Sequence, residues 1–105
     1  MDRRVLMAIS IAQQNMHRKV SVNELAKRVN LSLWHFTRLF KVETSVSPAH
    51  YMRERKMKAA KQLLGKSYLS VKQIAAQTGS GDRSHFSRGF KKLNGQSPSR
   101  FRANQ

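Results

Sequence analysis

Residues 20–53 read VSVNELAKRVNLSLWHFTRLFKVETSVSPAHYMR, and residues 69–103 read LSVKQIAAQTGSGDRSHFSRGFKKLNGQSPSRFRA. The two stretches align with one inserted residue. Ser21, Val22 and Ala26 fall on Ser70, Val71 and Ala75; after the insertion His35, Phe36, Arg38, Phe40, Lys41, Ser47 and Pro48 fall on His85, Phe86, Arg88, Phe90, Lys91, Ser97 and Pro98. A stacked structural repeat needs to preserve only its apolar positions, yet this one also matches polar residues for which a core has no use. The repeat therefore points to a surface that is used twice.

Each copy is punctuated in the same way. Ser21-x-x-Glu24 and Ser70-x-x-Gln73 have the form of capping boxes, in which the hydroxyl accepts a backbone N–H three residues on and the Glu or Gln reaches back. A helix is expected to begin at both. Val22, Leu25, Ala26 and Val29 then form an apolar stripe at helical spacing, as Val71, Ile74, Ala75 and Thr78 do more weakly. Asn30 and Gly79 follow, and both residue types tolerate the left-handed backbone that redirects a chain. A small residue four positions before each turn, Ala26 and Ala75, permits a close helix crossing. This is a helix-turn-helix signature. Ser32 and Asp82 cap second helices running to about Thr44 and Asn94, and Ser47-Pro48 and Ser97-Pro98 open third ones with Pro at the first helical position.

Between the copies, residues 48–64 read as one helix, roughly 25 Å long and ended by Gly65. Tyr51, Met52, Met57, Ala60, Leu63 and Leu64 are its apolar members, and Arg53, Arg55, Lys56, Lys58 and Lys61 its solvated face. Residues 2 to about 16 form an amphipathic helix with Val5, Ala8, Ile9 and Ala12 on one side. The expected fold is all-α, with seven helices and no strand: two helix-turn-helix subdomains, residues 1–46 and 66–105, joined by a long central helix, residues 47–65.

The 105 residues suffice for one small domain or two sub-cores. Twenty-one Lys and Arg against five Asp and Glu give a net charge of +16, which favours a polyanionic partner, nucleic acid first. No apolar run approaches the length of a spanning helix or resembles a signal peptide, so the expected location is the cytoplasm and no membrane partner is expected. With no Cys, and with His17, His35, His50 and His85 not spaced with carboxylates as ligands, neither a metal nor another cofactor is expected. Asp2, Asp82 and Glu24 serve helix starts, and Glu43 and Glu54 sit among Lys and Arg as solvated ion pairs. No catalytic set can be assembled, and the chain does not read as an enzyme.

The direction of each face follows from the buried stripe. With Phe36 at 0° and about 100° per residue, Leu39 and Phe40 lie within about 60° of it. Trp34, Thr37, Arg38 and Lys41 fall on the opposite side; Ser84, Ser87, Arg88 and Lys91 do so opposite Phe86, Phe90 and Leu93. Such a helix fits a DNA major groove, where Arg bonds bidentately to guanine and Thr or Trp meets thymine methyls. Lys41, Lys91, Lys92, Arg55 and Lys56 read as phosphate neutralisers, which set affinity without sequence information. His35 is expected to pack at the border of the buried stripe. Charge alone also suits a non-specific nucleoid or RNA-binding protein, and an exposed Trp34 suits a protein-interaction face.

The runs WHFTRLFK (residues 34–41), RERKMKAAKQLL (53–64), IAAQTG (74–79) and SHFSRGFKKLNGQSPSRFR (84–102) resemble the AraC/XylS family of bacterial transcription regulators. The resemblance covers nearly the whole chain. It implies two helix-turn-helix units on a long helix that bind double-stranded DNA in successive major grooves as a monomer. It assigns base contacts to Trp34, Thr37 and Arg38 in the first unit and to Arg83, Ser84, Ser87 and Arg88 in the second. An activator role and a contact with RNA polymerase come only from the resemblance. Many members carry an effector-binding or dimerisation domain before this module, so the chain is expected to be the C-terminal piece of a longer regulator rather than a stand-alone one. Where the family commonly has Phe after the turn glycine, this chain has Ser80 and Gly81; losing a buried Phe costs about 3 to 5 kcal/mol, so a looser second unit is expected.

Overall fold

In the computed structural model, which describes residues 1–105, each copy of the repeat builds its own hydrophobic core. The helices are α1 (Arg3–Gln14), α2 (Val22–Arg28), α3 (Leu33–Thr44), α4 (Pro48–Lys66), α5 (Val71–Gln77), α6 (Arg83–Asn94) and α7 (Pro98–Ala103), with no strand. The chain divides into two units, Met1–Glu54 and Arg55–Gln105, and the division falls inside α4.

In the first unit, the Asp2 carboxylate caps α1 by accepting the Arg4 N–H, and Val5 and Ala8 face inward. The Ser21 hydroxyl accepts the Glu24 N–H at the start of α2, which buries Leu25 and Ala26. Asn30 then adopts φ 60°, and the Leu31 N–H returns to the Ala26 carbonyl at 2.9 Å, closing the turn. Ser32 caps α3 through the His35 N–H, and Phe36 and Phe40 enter the core. Tyr51 from the start of α4 meets the Phe40 ring edge-on at 5.4 Å. Each buried Phe contributes roughly 1.5 to 3 kcal/mol, which makes the rings the main anchors of so small a core.

The second unit repeats the plan. Ala60 and Leu64 of α4 serve its core as Val5 and Ala8 of α1 serve the first. Ser70 and Gln73 form a complete capping box, Gly79 turns the chain at φ 69°, and the Asp82 carboxylate caps α6. Phe90 meets Phe101 of α7 edge-on at 5.5 Å, as Phe40 meets Tyr51.

Four details differ from the sequence expectation. Glu24 does not reach back to its cap, because its carboxylate lies 2.7 Å from the Arg18 guanidinium in the preceding loop. Gly65 does not end α4, which runs on to Lys66. There the Leu63 carbonyl accepts from the Ser67 N–H and hydroxyl, and the Leu64 carbonyl accepts from the Arg102 guanidinium at 3.0 Å. With its terminal carbonyls satisfied in this way, the helix needs no left-handed glycine. Leu93 is 64% exposed instead of joining Phe86 and Phe90, since nothing in the second core reaches its side of α6. His35 is exposed and does not pack at the stripe's border.

The missing apolar residue after Gly79 is also visible. The Ser80 N–H bonds to the Ala75 carbonyl at 3.0 Å, just as Leu31 bonds to Ala26, so Ser80 holds the place of Leu31. Its neighbour Thr78 is buried and donates its hydroxyl to the Ile74 carbonyl at 2.9 Å.

Candidate nucleic-acid interface

The capped starts of α3 and α6 fix which way their side chains point. With Phe36 and Phe40 fully inside, Trp34, Arg38 and Lys41 are exposed and Thr37 is half-buried at the edge of the same face. On α6, with Phe86 and Phe90 inside, Arg83, Ser84, Arg88, Lys91 and Lys92 are exposed, and Ser87 is half-buried in the position of Thr37. Each unit thus turns most of its expected contact residues away from its phenylalanines; Arg83 stands apart in the first turn of α6, exposed and lining a hollow with Ser84 and Arg88.

Four of the five acidic residues are engaged by groups outside these faces and the fifth, Asp82, caps α6 beside Arg83 and Ser84, so cations outnumber acids on both faces. The five are Asp2, paired with Arg4; Glu24, with Arg18; Glu54, with His50; Glu43, which accepts the Asp2 N–H at 2.7 Å; and Asp82. Asp82 accepts the His85 N–H at 2.7 Å, and that hydrogen bond, aided by the nearby charges of His85 and Arg88, holds its carboxyl below the ordinary range. The Arg18 guanidinium similarly lowers Glu24. The role of Glu43 was not legible in its surroundings of Lys and Val, since its partner lies 41 residues away.

In the second unit, Lys72 and Ala76 of α5, Gly81 and the capping Asp82, and Arg83, Ser84 and Arg88 of α6 line one open hollow of about 630 Å³, in which three cations surround one carboxylate. Lys72 is a cation that periodicity alone treats as ordinary solvated surface; its place in the second turn-forming pair, one residue after Val71, is the only signal that could have singled it out. Of the residues read as phosphate contacts, Lys41, Lys91 and Lys92 are exposed on α3 and α6. Arg55 and Lys56 lie half-buried on α4 and both interact within the protein, so they are less free to meet a ligand than their charge suggests. On the Trp34 face, the Arg38 guanidinium carbon sits 5.2 Å from the indole centroid.

Two capped helices, each following a tight turn and each turning a cationic, hydrogen-bonding side outward, define a tandem helix-turn-helix protein. The helix-turn-helix domain family matches residues 25–104. The chain belongs to the AraC-type branch of that family.

It is 37% identical over 81 residues to the Msm operon regulatory protein of Streptococcus mutans, covering 77% of this chain and 29% of the relative. It is 32% identical over 85 residues to the lactose operon transcription activator of Staphylococcus xylosus, covering 81% and 30%. The chain spans about a third of the length of the curated relatives it matches. Among solved structures, the DNA-binding domain of AdpA in complex with a target DNA superposes with a TM-score of 0.90 at 25% identity, covering 98% of this chain and 93% of that one. An AraC-type regulator from Chromobacterium violaceum does so at 0.83 and 28%, covering 96% and 90%. No helix is long and apolar enough to cross a membrane.

Proposed function

We propose that this chain is the DNA-reading part of a bacterial transcription activator, binding double-stranded DNA sequence-specifically with α3 and α6 in successive major grooves. One observation carries the reading. Arg38 and Arg88 recur at the same place in the repeat, each outward on a helix whose phenylalanines are buried, in a chain of net charge +16. Trp34, Thr37 and Arg38, and Arg83, Ser84, Ser87 and Arg88, then contact base edges, while Lys41, Lys91 and Lys92 neutralise phosphates. Arg55 and Lys56, half-buried on α4, add to this phosphate neutralisation.

The similarity to a domain solved on its target DNA and to an operon activator supports DNA as the ligand and activation as the direction. On this reading residues 47–65 link reading units 1–46 and 66–105, and the isolated chain acts as a monomer in the cytoplasm. RNA polymerase is a second partner of the whole regulator, in which an effector or dimerisation domain accompanies this module.

Selection of bound duplexes from a random pool, followed by a salt titration on the winner, tests the proposal. A two-part motif with a steep salt slope is expected. Salt-dependent binding with no recovered motif would instead identify a non-specific nucleic-acid binder, as the charge alone would allow.

A further inference from the structure

We propose that Trp34 is a positioning residue for Arg38, holding its guanidinium stacked and ready for a guanine, and that this device exists in the first unit alone. The proposal rests on the DNA-reading function above.

Trp34 is the chain's one tryptophan, and it stays 70% exposed on α3, so packing of the first core does not explain its place. Arg38 follows it by one helical turn, close enough for the two side chains to meet. They do meet, with the guanidinium carbon 5.2 Å from the ring centroid, inside the range over which a cation is attracted to an aromatic face. A guanidinium is planar and weakly hydrated, so it lies against a ring while its in-plane N–H groups stay available. Those are the groups that bond guanine O6 and N7.

An unstacked Arg loses rotamer freedom when it docks, and that loss subtracts from affinity. Stacking on Trp34 incurs part of the loss before DNA arrives. The ring also brings apolar surface beside the guanidinium, suited to the thymine methyl of a neighbouring pair. In the second unit Ser84 occupies the place of Trp34, so Arg88 has no counterpart of the indole one helical turn before it. DNA itself must order Arg88. The first unit should therefore discriminate its guanine more sharply than the second.

A double-mutant cycle on the selected duplex tests this. Trp34→Ala, Trp34→Phe, Arg38→Ala and the Trp34→Ala/Arg38→Ala pair are compared by competitive titration, with circular dichroism confirming that each variant is folded. Trp34→Ala is expected to weaken binding about two- to fivefold more when Arg38 is present than when it is absent. The excess should vanish when the guanine pair read by Arg38 is replaced. Trp34→Phe should keep most of it, and the salt slope should not move because no charge is lost. Equal Trp34→Ala losses with and without Arg38 would overturn the stack while leaving base reading by Arg38 intact. An Arg38→Ala variant that binds the selected duplex as tightly as the parent would overturn both.

Discussion

The hydroxyls of Thr78 and Ser80 lie 3.3 Å apart in the second turn, where the first turn has the apolar Val29 and Leu31 against its core. A polar pair thus stands where its counterpart anchors a helix crossing, and the second turn draws less stability from burial. Ser80 is half-buried and not in a left-handed conformation, so a larger side chain meets no backbone obstacle. Ser80→Leu is expected to stabilise the protein by about 1 kcal/mol, raising Tm by roughly 5 °C in thermal denaturation, without altering the DNA motif.

Phe90 touches both Phe86 and Phe101 and is completely buried, which makes it the centre of the second core. Phe90→Ala should cost about 3 to 5 kcal/mol, because the cavity can only partly collapse. Denaturant titration followed by circular dichroism reads the loss. A change under 1 kcal/mol would mean that the ring is not the anchor described.

Asp82 links acidity to the second recognition helix. Its carboxyl lies below the ordinary aspartate value of 3.8, first because it accepts the His85 N–H. A depressed folded-state value means that the cap's contribution is complete above the unfolded value and is lost as pH falls through the folded one. Stability should accordingly begin to drop below about pH 3.8. Asp82→Asn caps equally well without titrating, so it should flatten this part of the pH profile in acid unfolding curves.

The order of helices was legible because its punctuation is local. Ser32, Asp82 and Ser97 each cap the helix that follows, and Asn30 and Gly79 each take the positive φ their turn requires. The outward direction of Trp34, Arg38, Ser84 and Arg88 was legible for a related reason, since helical periodicity fixes them once the phenylalanines are assigned inward.

What was not legible depends on distant partners. Glu24 follows Arg18 instead of its own cap, and Arg102 satisfies a carbonyl 38 residues away so that α4 passes Gly65. Leu93 has the spacing of a core residue but no element to pack on. The half-burial of Arg55 and Lys56, and the placing of Lys72 around one hollow with Arg83 and Arg88, arise from tertiary packing that no local pattern encodes.

The most direct measurement is the affinity of Arg38→Ala, Arg88→Ala and Lys41→Ala across every single base-pair change in the selected duplex. Each Arg variant should lose about 1 to 3 kcal/mol on the selected duplex and become indifferent to changes at its own base pair. Lys41→Ala should weaken all duplexes alike and reduce the salt slope by about one. If the Arg variants instead lose equally on selected and random DNA, the two outward faces grip phosphate without reading sequence, and the proposed two-groove readout is wrong.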